Sequence, residues 1–313
     1  MARAEIIIEK EEMNVASRKS GRSSPRGLLT QRQWSHLRET VTETVRDHIV
    51  ASRFLDIYGP IGSGAQSISN PVYLEPKPAS ISMHGDEMDV AKPSQSNTLV
   101  IPILYKDFVI YWRDVEHARE TGKPLDFSAA ASAANDVALK EDDLIFNGAK
   151  SLNIPGLMNV SGRETLKCSD WSRQEGMAFQ NIVDARNRLI KNGHTGPFAM
   201  ALSPDAYARL HQVHGNSKVL EIEHVRNLFE DGIYQSSQIR NGCGVIVATG
   251  EQNVDIAIGQ DVSISFLNDE TMNSYFRVME CLVPRIKRPS AICTLENGNN
   301  QEEGNESNAG GKF

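Results

Sequence analysis

Apolar and polar positions along the 313-residue chain fall into stretches of different period, and the longest regular one runs from Asp126 to Gly148, DFSAAASAANDVALKEDDLIFNG. Phe127, Ala130, Ala134, Val137, Glu141, Leu144 and Gly148 recur there at steps of three and four, with Ala131, Ala138 and Ile145 alongside, which predicts one long helix. Ala129 to Ala134 are strong helix formers, Ser128 can cap the start, and Gly148 suits a left-handed turn past the end. About twenty residues at about 1.5 Å each span about 30 Å, the length of a domain's backbone. The stripe is narrow and alanine-rich, so a second layer can approach closely. Taken alone, the segment reads first as an ordinary core helix of any α/β protein.

A second amphipathic helix starts at Thr30. Thr30 and Gln33 form a T-x-x-Q capping box, and Trp34, Leu37, Val41, Val45 and Ile49 make an apolar stripe opposite Arg38, Glu39, Glu43 and Arg46. Such a stripe either packs on its own domain or docks a partner peptide. The GPIGSG run from Gly59 to Gly64 lacks the Lys-Ser/Thr pair of a phosphate loop and the GxGxxG order, so a tight turn is expected. From Pro71 to Pro102 the chain is rich in Pro, Ser, Asp and Glu with short extended pieces, which predicts a two-stranded arm able to reach a neighbouring subunit. Ile103 to Trp112 alternates as a strand, and Arg113 to Glu120 reads as a short helix before the turn Gly122-Lys123-Pro124. Beyond Pro155, helices around Phe179–Lys191, after Ser203 and up to about Phe229 alternate with strands at Phe198–Leu202, Ile233–Ile239, Gly244–Thr249 and Val254–Ile258. That alternation predicts a second α/β domain. Two or three further strands after Val262 are expected to return to the sheet beside the long helix.

Composition narrows the function. A net charge of -7, with no basic run beyond Arg285-Ile286-Lys287-Arg288, argues against a surface that coats nucleic acid. Cys168, Cys243, Cys281 and Cys293 lack CxxC spacing and read as reduced core thiols. The first 26 residues carry only a three-residue Ile run among charges, and no stretch of about eighteen apolar residues occurs elsewhere, so a cytoplasmic location without membrane contact is expected. Residues 1–26 read as a mobile extension and residues 297–313 as a flexible tail. His211 and His214, with Glu221 and His224 farther on, can be drawn as a metal cluster but read as surface histidines. Glu141, Asp142 and Asp143 are consecutive and point in different directions on a helix, so they read as a solvated face or subunit salt bridges. Gly242-Cys243-Gly244 precedes a strand and has no base fixed by spacing. No catalytic residue, metal or cofactor is assigned, and a structural or binding protein is favoured over an enzyme.

Several stretches together carry a resemblance. LTQRQWSHLRETVTETVRDHIVASRFLDIYGPIG, IPILYKDFVIYWRDVEHARETGKPLDFSAAASAANDVALKEDDLIFNG, GPFAMALSP and FRVMECLVPRIKRPSAICTLE resemble, in order, the encapsulin shell proteins, also known as linocin-type bacteriocins. YKDF, WRD, EDDLIFNG and ICTLE look most like shells with ferritin-like cargo. The resemblance spans about Leu29 to Glu296 and implies an α+β fold like the major capsid protein of HK97-type phages. It implies a peripheral domain over 27–154 with the N-terminal helix, an extended loop at about 72–98 and a spine helix at Ser128–Asn147. An axial domain over 155–259 and a return to the peripheral domain over 260–296 would follow. The implied function is self-assembly into an icosahedral cage around a cargo enzyme of ferritin-like iron-storage or peroxidase type, captured through a terminal targeting peptide. The implied docking residues are Leu37, Val41, Arg53, Asp56 and Ile57, and the implied pore loop is His214, Gly215, Asn216, Ser217 and Lys218. Some members bind a flavin beside an aromatic in the segment equivalent to YWRD, which falls on Tyr111 or Trp112; at residue level Trp112 reads as a packed core side chain. Residues 1–26 and the tail have no counterpart in the family pattern. The same fold leaves a prophage major capsid protein as the alternative, while a protease or bacteriocin reading finds no nucleophile, base or secretion signal.

Overall fold

The computed structural model describes residues 29–74, 79–85, 88–168, 171, 176–213 and 219–297. In chain order, α1 (Gln31–His48) and a 3-10 turn (Ala51–Arg53) lead to β1 (Asp56–Tyr58), β2 (Ser67–Val72), β3 (Gln95–Val100), β4 (Ile103–Ile110), α2 (Trp112–Thr121) and α3 (Ser128–Asn147). Next come β5 (Glu164–Cys168), α4 (Met177–Lys191), β6 (Phe198–Leu202), α5 (Pro204–Arg209), α6 (Glu221–Arg226), β7 (Ile233–Gln235) and β8 (Gly244–Ala248). The long strands β9 (Val254–Glu270) and β10 (Asn273–Ile286) and the closing β11 (Ile292–Asn297) complete the chain. The expected extension 1–26, the loop 214–218 and all but the first residue of the tail lie outside the described residues.

The described residues form two compact units. The first takes them from Met1–Ile68, Thr98–Ile145 and Asp255–Arg285, the second from Ser69–Asn97, Phe146–Val254 and Ile286–Phe313. In the first, a four-stranded sheet has the order β1-β9-β10-β4, with Asp56 opposite Asp255 in the parallel pair and Phe276 opposite Phe108 in the antiparallel one. The capping box forms as the sequence predicts: the Gln33 amide oxygen accepts from the Thr30 N–H at 2.8 Å, and the Thr30 hydroxyl accepts from the Gln33 N–H at 3.3 Å. Leu37, Val41 and Val45 turn inward, and Trp34 meets Phe276 edge-on with ring centroids 5.6 Å apart. On α3, Ala130, Ala134, Val137, Ala138, Leu144 and Ile145 are buried, as the three-and-four spacing requires. Ser128 is the first helical residue rather than the cap; its N–H and hydroxyl both donate to Asp126, at 2.9 and 2.6 Å. Those bonds hold the Asp126 carboxyl below its usual range.

The second unit contains a mixed sheet in the order β5-β11-β8-β6-β7. Every residue of β6 and β8 is buried, which explains why FAMAL and GVIVA read as continuous apolar runs instead of alternating. Ile182 and Leu189 of α4, with Leu210, Ile222 and Val225, pack in the same core. Burial pushes the Cys168 and Cys293 thiols up to about 12, so both stay protonated and inert. Gly148 sits at φ 69°, in the left-handed turn that ends α3, where a Cβ would run into the Ile154 carbonyl oxygen.

Two elements differ from expectation. The strand expected at Val254–Ile258 continues to Glu270, and at Gly259 β9 passes close to the Cys281 side chain. The closing segment expected as one piece over 260–296 divides: β9 and β10 belong to the first unit, whereas β11 pairs with β8 and β5 in the second.

Candidate docking site

The candidate site is the corner where α1 hands over to β1, within the first unit. α1 ends with the Ile49 N–H on the Val45 carbonyl at 3.0 Å, and the chain then reverses through Val50 to Arg53. The Arg53 guanidinium donates back to the carbonyls of Arg46 and Asp47 at 3.2 and 2.8 Å, occupying acceptors that the end of a helix leaves open. From the other side, the Asp142 carboxylate on α3 accepts from the Val50 and Ala51 N–H groups at 3.1 and 3.0 Å, and Glu141 accepts from the Ser52 hydroxyl. β1 then runs parallel to β9, and Ile61 extends the pairing by donating to the Ile258 carbonyl at 2.9 Å. Beneath β1, Arg285 grips Asp255 through two bonds, one of them 2.7 Å, and lies 4.0 Å from the Tyr58 ring centroid. Arg53, Asp56, Tyr58 and Ile61 stand exposed and Ile57 is half-buried. The surface therefore offers one cation, one anion and apolar patches along a strand, a mixture suited to a short extended peptide.

The structure corrects part of the implied docking set. Leu37 and Val41 are only 0 and 1% exposed, because the stripe of α1 packs on the chain's own core, so neither presents apolar surface to a peptide. The solvated reading of Glu141 and Asp142 is corrected too: they are 0 and 1% exposed and hold the corner. One signal for this was present, since Glu141 falls on the apolar stripe of α3. Trp112 is not a core side chain. It opens α2 with its N–H 3.3 Å from the Asn273 side chain and is 38% exposed; Tyr111 is 53% exposed. A recess of about 300 Å³ lined by Tyr111, Asp114, His117 and Lys123 lies in the same unit, and Trp112 is not part of its lining. The pore-loop residues His214 to Lys218 lie outside the described residues; the loop's base is closed by a bridge between Val213 and Leu220. Among the described residues no group of three or more His, Cys, Asp or Glu is placed to hold a metal ion, and no helix is long and apolar enough to cross a membrane.

Residues 24–283 match the Linocin_M18 family model, described as encapsulating protein for peroxidase. The type 1 encapsulin shell protein of Myxococcus xanthus is 43% identical over 269 residues, which cover 86% of this chain and 93% of that protein. The chain belongs to the encapsulin shell-protein family. A ferritin-like–encapsulin shell fusion protein of Pyrococcus furiosus is 29% identical over 160 residues, 51% of this encapsulin and 46% of the fusion. Among solved structures, a virus-like particle from Pyrococcus furiosus superposes with a TM-score of 0.67 at 23% identity, covering 84% of this chain and 99% of that one. The capsid of Myoviridae phage XM1 superposes with a TM-score of 0.57 at 12% identity, covering 77% and 89%. The encapsulin chain thus has the α+β fold of HK97-type phage capsid proteins.

Proposed function

We propose that this encapsulin closes with copies of itself into a hollow icosahedral shell in the cytoplasm and holds a guest enzyme of ferritin-like iron-storage or peroxidase type. The family match over residues 24–283 carries this reading. The shell chain itself is structural, and the chemistry belongs to the guest. A guest bearing a short terminal peptide docks on the α1–β1 corner, with Arg53 and Asp56 reading its polar groups and Ile57 an apolar one. Leu37 and Val41 act from beneath by seating α1. Many identical corners facing one oligomeric guest multiply a weak contact into firm retention. The loop His214 to Lys218 edges a pore for ions and small solutes. An ordered, capped α1 supports a guest-holding shell over a phage head, whose capsid proteins usually begin with a scaffolding segment that is cleaved.

Shells produced with the guest recovered from the source cells test the docking. Asp56→Lys reverses the charge of an exposed strand residue and is expected to lower guest per shell about tenfold, the effect of losing one charge-assisted contact, with particle diameter unchanged. Loading equal to the parent shell contradicts the assignment.

A further inference from the structure

A carboxylate in the interior needs a hydrogen-bonded purpose, because taking its charge out of water is costly. α3 carries two in succession, Glu141 and Asp142, both buried within the first unit. Consecutive helical residues point about 100° apart, so a single neighbouring segment engages both only by bending around the helix. The segment Val50–Ser52 does so: Val50 and Ala51 donate their N–H groups to Asp142 at 3.1 and 3.0 Å, and Ser52 donates its hydroxyl to Glu141. The 3-10 turn Ala51–Arg53 has no side-chain cap from its own neighbourhood. Asp142 supplies that cap from 91 residues farther along the chain. One end of the turn is α1, held through Arg53 on the carbonyls of Arg46 and Asp47; the other end is β1, held on β9. The turn therefore sets the angle between the helix and the strand.

We infer that Asp142 and Glu141 are positioning residues for guest capture: by clamping the Val50–Arg53 turn they fix the spacing between Arg53 and the Asp56–Ile57 edge. This rests on the docking reading above. Asp142 is the more demanding of the two towards the turn, since both its oxygens face the Val50 N–H, at 3.1 and 3.2 Å, while the Ser52 hydroxyl asks a single acceptor of Glu141. An amide at position 142 puts an NH2 donor against a backbone donor; an amide at position 141 keeps an acceptor.

The test compares Asp142→Asn, Glu141→Gln and Asp56→Lys shells made with the guest recovered from the source cells, reading guest per shell, particle diameter and the melting temperature of empty shells. Asp142→Asn is expected to lower loading about tenfold with diameter and melting temperature near those of the parent, and Glu141→Gln to stay within about twofold. If Asp56→Lys lowers loading and Asp142→Asn does not, the positioning role is overturned and the docking site stands. If neither lowers it, the docking site falls and the inference with it. Loss of assembly and loading in step makes the carboxylates merely structural and also overturns the role. Should Asp142→Asn fail to assemble, Ser52→Ala removes the Glu141 bond from the turn's side; about a threefold loss of loading is expected, and unchanged loading overturns the inference.

Discussion

The two units bury different kinds of residue. The second is filled by apolar strands, with all of Phe198–Leu202 and Gly244–Ala248 out of solvent. Among the described residues, the first holds five of the six buried charged side chains, Glu141, Asp142, Asp255, Glu280 and Arg285, against Glu221 alone in the second. Apolar burial stabilises without direction, so it holds a sheet together but tolerates small rearrangements. Buried pairs with fixed geometry add little net stability and a strong preference for one arrangement. The unit that carries the proposed docking corner is thus the one whose interior specifies orientation.

That contrast can be broken by substitution. Arg285→Ala removes the guanidinium from the buried Asp255 carboxylate and is expected to cost about 3–5 kcal/mol in denaturant unfolding, while Arg285→Met combined with Asp255→Leu should recover most of it. A cost below about 1 kcal/mol for Arg285→Ala would remove the distinction between the units. In the second unit, Leu189→Ala opens a cavity in an apolar core and is expected to cost about 2–5 kcal/mol; here no polar partner exists whose simultaneous replacement would restore stability. The smallest effect belongs to the exposed pair Arg277–Asp107, with bonds of 2.6 and 2.8 Å. Hydrogen bonding from Arg277 holds the Asp107 carboxyl below its usual range. The pair's contribution is therefore present above about pH 4, the ordinary value of an aspartate, and is lost as pH falls through the lower folded value. For an exposed pair it is expected to stay under about 1 kcal/mol, so Arg277→Gln should flatten the urea midpoint between pH 5 and pH 2 only slightly.

Much of this was legible in the sequence, for physical reasons that differ by element. The period of α3, the capping box of α1 and the unbroken apolar runs of β6 and β8 are local signals, and each survives into the structure. The capsid-like α+β fold came from the resemblance of whole segments in order. The details of the corner were not legible, because its contacts join residues about ninety positions apart: the Asp142 bonds to Val50 and Ala51 have no sequence signature. Glu141 on the apolar stripe was the one trace of them. The stripe of α1 is compatible with own-domain packing or partner docking from its spacing alone; Leu37, Val41 and Val45 are buried against the chain's own core, which accounts for the stripe by packing. β9 is longer than its apolar run Val254–Ile258, because a strand paired along β10 needs no apolar residue at each step.

The central claim is that the partners of this encapsulin chain are first of all copies of itself. Electron microscopy of the purified protein tests it most directly. Closed, hollow particles of uniform diameter are predicted, and a preparation that contains only monomers or small open rings across expression and buffer conditions would contradict it.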